Sequence, residues 1–387
     1  MPVKNRFAEL HGEITEWRRD IHAHPEVLYE THRTSALVAE KLREFGCDEV
    51  VTGIGRTGVV GIIKGKTDTK GNVIGLRADM DALPMQEQTG LEYASQTDGA
   101  MHACGHDGHT AMLLGAAKYL SETRNFDGSV ALIFQPAEEG GNGALAMVED
   151  GMMDRWDIKE VYGMHNNPGL PVGEFSIRRG PLLAAVDFFT IEIEGRGGHA
   201  AMPQQTVDPT VIGTNIHSAL QSIVSRNVDP VDRAVVSVTS FQTGSDVFNV
   251  IPHTATLKGT VRTFTPETQD MVEARMKDVA SGIAATFGGT ATVDYNRITP
   301  ATINAEDQAI FAEEVATAVA GSCNEAPLVM GGEDFSYMLQ ARPGAFIMVG
   351  NGDSAALHHP EYNFNDDAIP YGSSFLSEVI ERRMPAA

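Results

Sequence analysis

The chain has 387 residues, 42% of them hydrophobic and 21% charged, with a net charge of −23 and 3 cysteines. That apolar fraction excludes a disordered chain, the scattered Cys47, Cys104 and Cys323 exclude a disulfide-stapled scaffold, and the acidic balance excludes nucleic acid and anionic membranes as partners. Charges interrupt the first thirty residues and no stretch approaches the roughly 20 apolar residues of a membrane span, so a cytoplasmic, two-domain protein acting on small molecules is expected.

Leu37, Val38, Leu42 and Phe45 at helical spacing predict a helix over 34–45 capped by Gly46, with a turn at 52–58. Apolar runs then recur at 59–63, 73–76, 130–134, 161–164 and 345–349, with a helix-like stretch from His109 to Thr123 between two of them. Buried strands with an intervening helix predict an α/β domain, in which ligands gather where strands end. The middle of the chain changes character. Phe189, Ile191 and Ile193 alternate with Thr190, Glu192 and Glu194, the period of a strand with one wet face. Asp208 as N-cap and Pro209 open a helix whose Ile212, Ile216, Leu220, Ile223 and Val224 share a face. Strands at 235–241 and 257–264 precede a second helix, capped by Thr265, striped by Val272, Met276, Val279, Ile283 and Phe287, and stopped by Gly288 and Gly289. A last strand over 290–296 completes β-α-β-β-α-β, the ferredoxin-like order. The expected division is an α/β domain built from 1–183 and 298–387, interrupted by an α+β insertion at 184–297.

The densest chemistry is Met101-His102-Ala103-Cys104-Gly105-His106-Asp107-Gly108-His109, immediately before a helix. Histidines, a thiol and a carboxylate around glycines suit a metal; the alternative is a polar helix entrance in which His109 caps or packs and His102 is solvated. Glu138 and Glu139 follow a strand on a Pro- and Gly-shaped turn, where one carboxylate can bind metal while its neighbour moves protons; the alternative is an exposed acidic turn. Asp79 and Asp81 end another strand, as supports for a site or as turn caps. His165 and His358 also lie just beyond apolar runs or in short loops.

Together these sites resemble the M20 metallopeptidases, in the branch containing N-acyl-amino-acid amidohydrolases, hippurate hydrolases and indoleacetyl-amino-acid hydrolases. The resemblance spans nearly the whole chain, from 18–26 through 77–84, 104–109, 135–141, His165, 195–203, 249–252 and 259–262 to 331–335 and His358. It implies a zinc-peptidase-like catalytic domain of α/β type with an inserted ferredoxin-like lid or dimerisation domain. It further implies two divalent ions per subunit, Zn, Mn, Co or Ni, held by Cys104, His106, Glu139, His165 and His358, with Cys104 as the bridge. His359 rivals His358, and the motif alignment favours the latter. Arg77 stands where many M20 peptidases carry a metal-binding His, which leaves Asp79 outside the ligand set.

By the same resemblance Glu138 carries the proton, and His199, on the inserted domain, donates to the oxyanion of a neighbouring subunit. From the residues alone His199 is a His in a glycine turn. Asn249 and Arg262 are implied as grips on the substrate carboxylate, although Arg262 also reads as an exposed strand residue, and Leu182 and Gly332 to Phe335 as walls of the acyl pocket. The implied partners are a small N-acyl amino acid and further copies of the chain in a homodimer or higher homo-oligomer, without nucleic acid or membrane. The expected activity is hydrolysis of N-acyl-L-amino acids. Its alternatives are a dipeptidase or carboxypeptidase of the same chemistry, a metal-independent cysteine hydrolase using Cys104, and a non-catalytic metal-binding module.

Overall fold

The β-branched run Val59, Val60, Ile62 and Ile63 folds as the strand Gly58–Lys64, buried up to its last residue. This strand belongs to an eight-stranded sheet in the computed structural model, which describes residues 4–386. The chain divides into two units: Met1–Leu182, Ile303–Pro327 and Asp334–Ala387 form the first, and Leu183–Thr302 with Leu328–Glu333 the second.

In the first unit the sheet runs in the order Glu49–Ile54, Gly58–Lys64, Ser129–Gln135, Val73–Asp79, Glu160–Asn167, Gly344–Gly350, Phe175–Ile177, Asn324–Glu325. Val73–Asp79 pairs in parallel with both Ser129–Gln135 and Glu160–Asn167, and the latter in parallel with Gly344–Gly350. These central strands are buried almost throughout, as their continuous apolar runs require. Their carboxyl ends deliver Asp79, Gln135 and Asn167 to one edge of the sheet.

Two local expectations are corrected and one helix is added. The turn expected at 52–58 shrinks, because Glu49–Ile54 is itself a strand pairing antiparallel with Gly58–Lys64; left-handed Gly53 had interrupted its apolar pattern. The helix expected from His109 begins at His106. An unexpected helix, Asn5–Ala23, buries Phe7, Leu10, Ile14, Trp17 and Ile21 on one stripe at three- and four-residue spacing.

The second unit holds a four-stranded antiparallel sheet ordered Ala234–Thr243, Thr254–Thr263, Ala185–Glu194, Thr290–Thr299. Numbered along the chain these are its second, third, first and fourth strands, the ferredoxin-like arrangement. Asp208 caps Pro209–Arg226 by accepting from the Thr210 N–H at 2.8 Å, and Thr265 caps Pro266–Thr286 by accepting from the Thr268 N–H at 3.2 Å. Both helices pack on Phe189, Ile191, Ile193 and Leu257, but Phe287, expected on the second stripe, lies past the helix end and is 43% exposed. The distant segment 328–333 joins this unit through Ala184, whose N–H donates to the Val329 and Gly331 carbonyls.

The N-terminal helix also places two buried cations against the helix His106–Thr123. His22 Nδ1 lies 2.8 Å from Asp107 Oδ2 and its Nε2 3.4 Å from Glu87 Oε1, with Arg18 Nη1 3.5 Å from Asp107. Burial opposes charging of His22, but its two carboxylate partners prevail and raise its pKa from 6.5 to about 9. The stabilisation from this imidazolium is therefore full below pH 6.5 and lost as pH rises through 9. Tm is expected to fall between pH 7 and pH 10 more steeply in the parent than in His22→Gln; equal slopes would refute the linkage.

Candidate metal centre

Cys104 is placed by a turn that only glycine can make. Gly105 has a φ of +91°, and a Cβ there would run into Asn166 Nδ2 and sit 2.7 Å from the Tyr362 hydroxyl. Asn166 Nδ2 donates to the Cys104 carbonyl at 2.6 Å, and the Tyr362 hydroxyl donates to Asn166 Oδ1 at 2.7 Å. Gly105→Ala is therefore expected to lower metal content and activity together, with Gly90→Ala, where a Cβ meets nothing, as the control for left-handed strain. Elemental analysis checks this, and parent-like metal content would refute it.

The histidines present lone pairs by elimination. His165 Nδ1 donates to the Asn166 carbonyl at 2.7 Å, leaving Nε2 facing Cys104 Sγ at 3.4 Å. His106 Nδ1 donates to the Asp81 carbonyl at 2.8 Å, leaving a buried Nε2 with no hydrogen-bond partner. Glu139 Oε1 is likewise buried without a hydrogen bond, 3.2 Å from His358 Nε2 and 4.0 Å from His106 Nε2. Buried polar atoms left without partners are costly, and a divalent ion accounts for these. Cys104, His106 and His165 offer ligand atoms within 4.8 Å of one another, and so do Cys104, Glu139 and His358. The two triads share the thiol, a donor set of sulfur, imidazole and carboxylate that fits two ions.

His358 reaches this cluster through a strained backbone: its φ is +62°, and its N–H donates to the Ala103 carbonyl at 2.8 Å. His359 Nδ1 instead accepts from the Glu361 N–H at 3.1 Å, outside every such cluster among the described residues.

Burial pushes the Cys104 thiol well above its usual pKa, and the nearby Glu139 charge adds to the rise. Burial drives His165 well below the usual imidazole range, with His109 adding to the fall. A neutral imidazole is the form that binds metal.

Asp79, His106 and His109 form another close group, but both nitrogens of His109 are engaged. Its Nδ1 donates to Asp79 Oδ1 at 2.7 Å, and its Nε2 accepts from the Asn166 N–H at 2.9 Å. Asp79 Oδ2 takes Arg77 Nη1 at 2.8 Å and lies 3.6 Å from His106 Nε2. Burial alone would raise the Asp79 pKa; the guanidinium and the two imidazoles outweigh it and hold the group ionised. Arg77 also donates to Gln135 Oε1 at 2.7 Å and to Asp334 Oδ1 at 3.2 Å, so Asp334 braces the strand ends from inside the first unit. His102, in the densest sequence motif, is buried with neither ring nitrogen hydrogen-bonded and belongs to none of these groups.

Glu138 offers an oxygen within 4.8 Å of ligand atoms on His106 and Glu139. Its N–H and that of Glu139 both donate to the Asp81 carboxylate, at 3.0 and 3.1 Å. Asn166, Tyr362 and the double acceptor role of Asp81 are features that sequence reasoning missed.

His199, Asn249 and Arg262 belong to the second unit. His199 pairs with Val250 in a two-stranded ladder, and the Ala200 N–H donates to the Asn249 carbonyl at 3.0 Å, so His199 and Asn249 share one exposed platform. His199 Nδ1 accepts from the Ala201 N–H at 3.0 Å, which leaves the neutral ring's proton on Nε2. Arg262 stands apart on its strand, with Nε donating to the Met330 carbonyl at 3.2 Å and Nη1 to Thr260 Oγ1 and the Val261 carbonyl.

Known proteins resemble this chain over nearly its whole length. The chain is 43% identical over 376 residues to a hippurate hydrolase of Campylobacter jejuni, a match covering 96% of each chain. It is 40% identical over 371 residues to an N-acetylcysteine deacetylase of Bacillus subtilis, again covering 96% of each. A solved Bacillus subtilis structure, described as a dinuclear metal-binding peptidase from the M20 family, superposes with a TM-score of 0.87 at 37% identity, over 97% of this chain and 99% of that one. The sequence model of peptidase family M20/M25/M40 matches residues 75–382, and the chain belongs to that family.

Proposed function

We propose that the protein is a two-metal amidohydrolase that cleaves N-acyl-L-amino acids to a carboxylate and a free amino acid. The observation that carries this reading is the pair of triads sharing Cys104, with a Glu138 oxygen close to ligand atoms of His106 and Glu139. The names of the hippurate hydrolase and deacetylase relatives support the substrate class. Cys104, His106, Glu139, His165 and His358 would hold two divalent ions, which would supply Lewis-acid polarisation and acidify water.

Glu138 takes a proton from the attacking water and returns it to the departing nitrogen, because expelling an unprotonated amide nitrogen is unfavourable. His199 Nε2 donates to the oxygen that gains charge. Asn249 and Arg262 bind the substrate carboxylate, for which Arg262 has Nη2 beyond its present contacts. The second unit serves as lid and dimerisation domain, and its edge strand Ala234–Thr243 offers unpaired backbone groups to a second copy. Among the described residues no helix is long and apolar enough to cross a membrane. The odd, scattered cysteines suit a reducing cytoplasm, where we place the enzyme.

A turnover panel of acetyl, benzoyl and indoleacetyl amino acids against dipeptides tests the reading. Dipeptide cleavage without N-acyl turnover would favour the peptidase alternative. His199→Ala is expected to lower kcat with both metals retained. Mixed with Glu138→Gln, part of the activity returns on subunit exchange if His199 serves its neighbour, because one site then carries both defects and the other neither. Mixed dimers without recovery would refute the exchange.

A further inference from the structure

Asp81 is 1% exposed and makes three bonds to the proposed catalytic groups. Its carbonyl accepts from His106 Nδ1 at 2.8 Å, its Oδ1 from the Glu138 N–H at 3.0 Å and its Oδ2 from the Glu139 N–H at 3.1 Å. Two consecutive N–H groups converge on one carboxylate only where the chain turns sharply, and Ala137, with a φ of +55°, makes that turn. A left-handed alanine persists only where its surroundings over-determine it, and the buried carboxylate does so. Asp81 is itself held from the other side: the Ala82 N–H donates to the Glu26 carbonyl at 2.8 Å, and Leu83 exchanges backbone hydrogen bonds with Met101.

We propose that Asp81 is a positioning residue for proton transfer, clamping the backbone of Glu138 and Glu139 so that the Glu138 carboxylate is rooted at a fixed place relative to His106 and Glu139. The inference rests on Glu138 as the proton carrier. Asp81 is not a ligand in this account, because both of its oxygens accept backbone N–H groups and it belongs to none of the close ligand groups among the described residues. Its effect is on aim, and small displacements of a catalytic group are costly in rate.

Asp81→Asn keeps the size of the side chain but turns one acceptor into a donor that faces an N–H, releasing half of the clamp. With metal content and Tm near the parent values, kcat is expected to fall by about tenfold to a hundredfold while KM changes by less than about twofold. In the Glu138→Gln background the same substitution is expected to change kcat by less than about twofold, because the group being aimed no longer carries a proton. Equal falls in both backgrounds, as a merely structural role gives, or a parent-like kcat in Asp81→Asn, would overturn the proposal. If Asp81→Asn does not fold, Asp81→Ser, which retains a single acceptor, enters the same cycle under the same criteria. A parent-like kcat in Glu138→Gln alone refutes the proton-carrier reading before Asp81 is altered, so the two failures are distinct.

Discussion

Replacing Glu138 by Gln is expected to lower kcat by roughly two to four orders of magnitude, with both metals retained. The amide matches the carboxylate in shape, and the backbone N–H that holds residue 138 to Asp81 is unchanged. What disappears is the ability to accept a proton from water and pass it to the leaving nitrogen. A fall of that size corresponds to about 3 to 5 kcal/mol of transition-state stabilisation, within the range of one general acid–base group. Glu139→Gln gives the contrast. Glu139 Oε1 is a buried oxygen without a hydrogen bond between His106 and His358, so its loss is expected to deplete metal first and activity as a consequence. Elemental analysis beside kcat separates the two variants; turnover surviving in Glu138→Gln with metal lost would mean that the two glutamates have exchanged roles.

The second unit is legible in the sequence because each of its signals is local. Asp208 and Thr265 cap their helices through bonds spanning two or three residues, and the alternation at Phe189, Ile191 and Ile193 reports one buried face directly. The Asn5–Ala23 helix carries a stripe of the same local kind from Phe7 to Ile21, but the charges between its apolar residues obscure it in the sequence. In the first unit, the apolar runs at 73–76 and 130–134 locate the central strands, and with them the acids at the strand ends.

The supports of the site are another matter. Tyr362 reaches Asn166 across 196 residues of sequence, and Asn166 then fixes a backbone carbonyl, which no residue pattern records. Asp81 acts on N–H groups 57 and 58 residues away. The start of the metal-site helix shows how a small shift changes chemistry. Because the helix begins at His106, His109 lies in its first turn with both nitrogens engaged by Asp79 and Asn166.

Removing metal is expected to abolish activity, and Cys104→Ser to deplete both ions at once, because Sγ is the one donor atom common to the two triads. In the metal-free protein, burial and the charge of Glu139 hold the Cys104 thiol well above its ordinary pKa. A cation reverses that balance, since a coordinated thiol gives up its proton. A serine hydroxyl is far harder to ionise, so the substitution would remove the anionic donor that the two triads have in common. The loss of affinity is expected to exceed the roughly 10- to 100-fold typical of losing an outer-shell partner. The raised thiol pKa also argues against Cys104 as a nucleophile, for which a lowered value is the rule. The measurement is activity after exhaustive chelation, then after titration with Zn, Mn, Co or Ni, all of which this mixed donor set accepts. Full turnover by protein shown to be metal-free, together with an acyl group trapped on Cys104 by mass spectrometry, would sink the two-metal reading and put a cysteine hydrolase in its place.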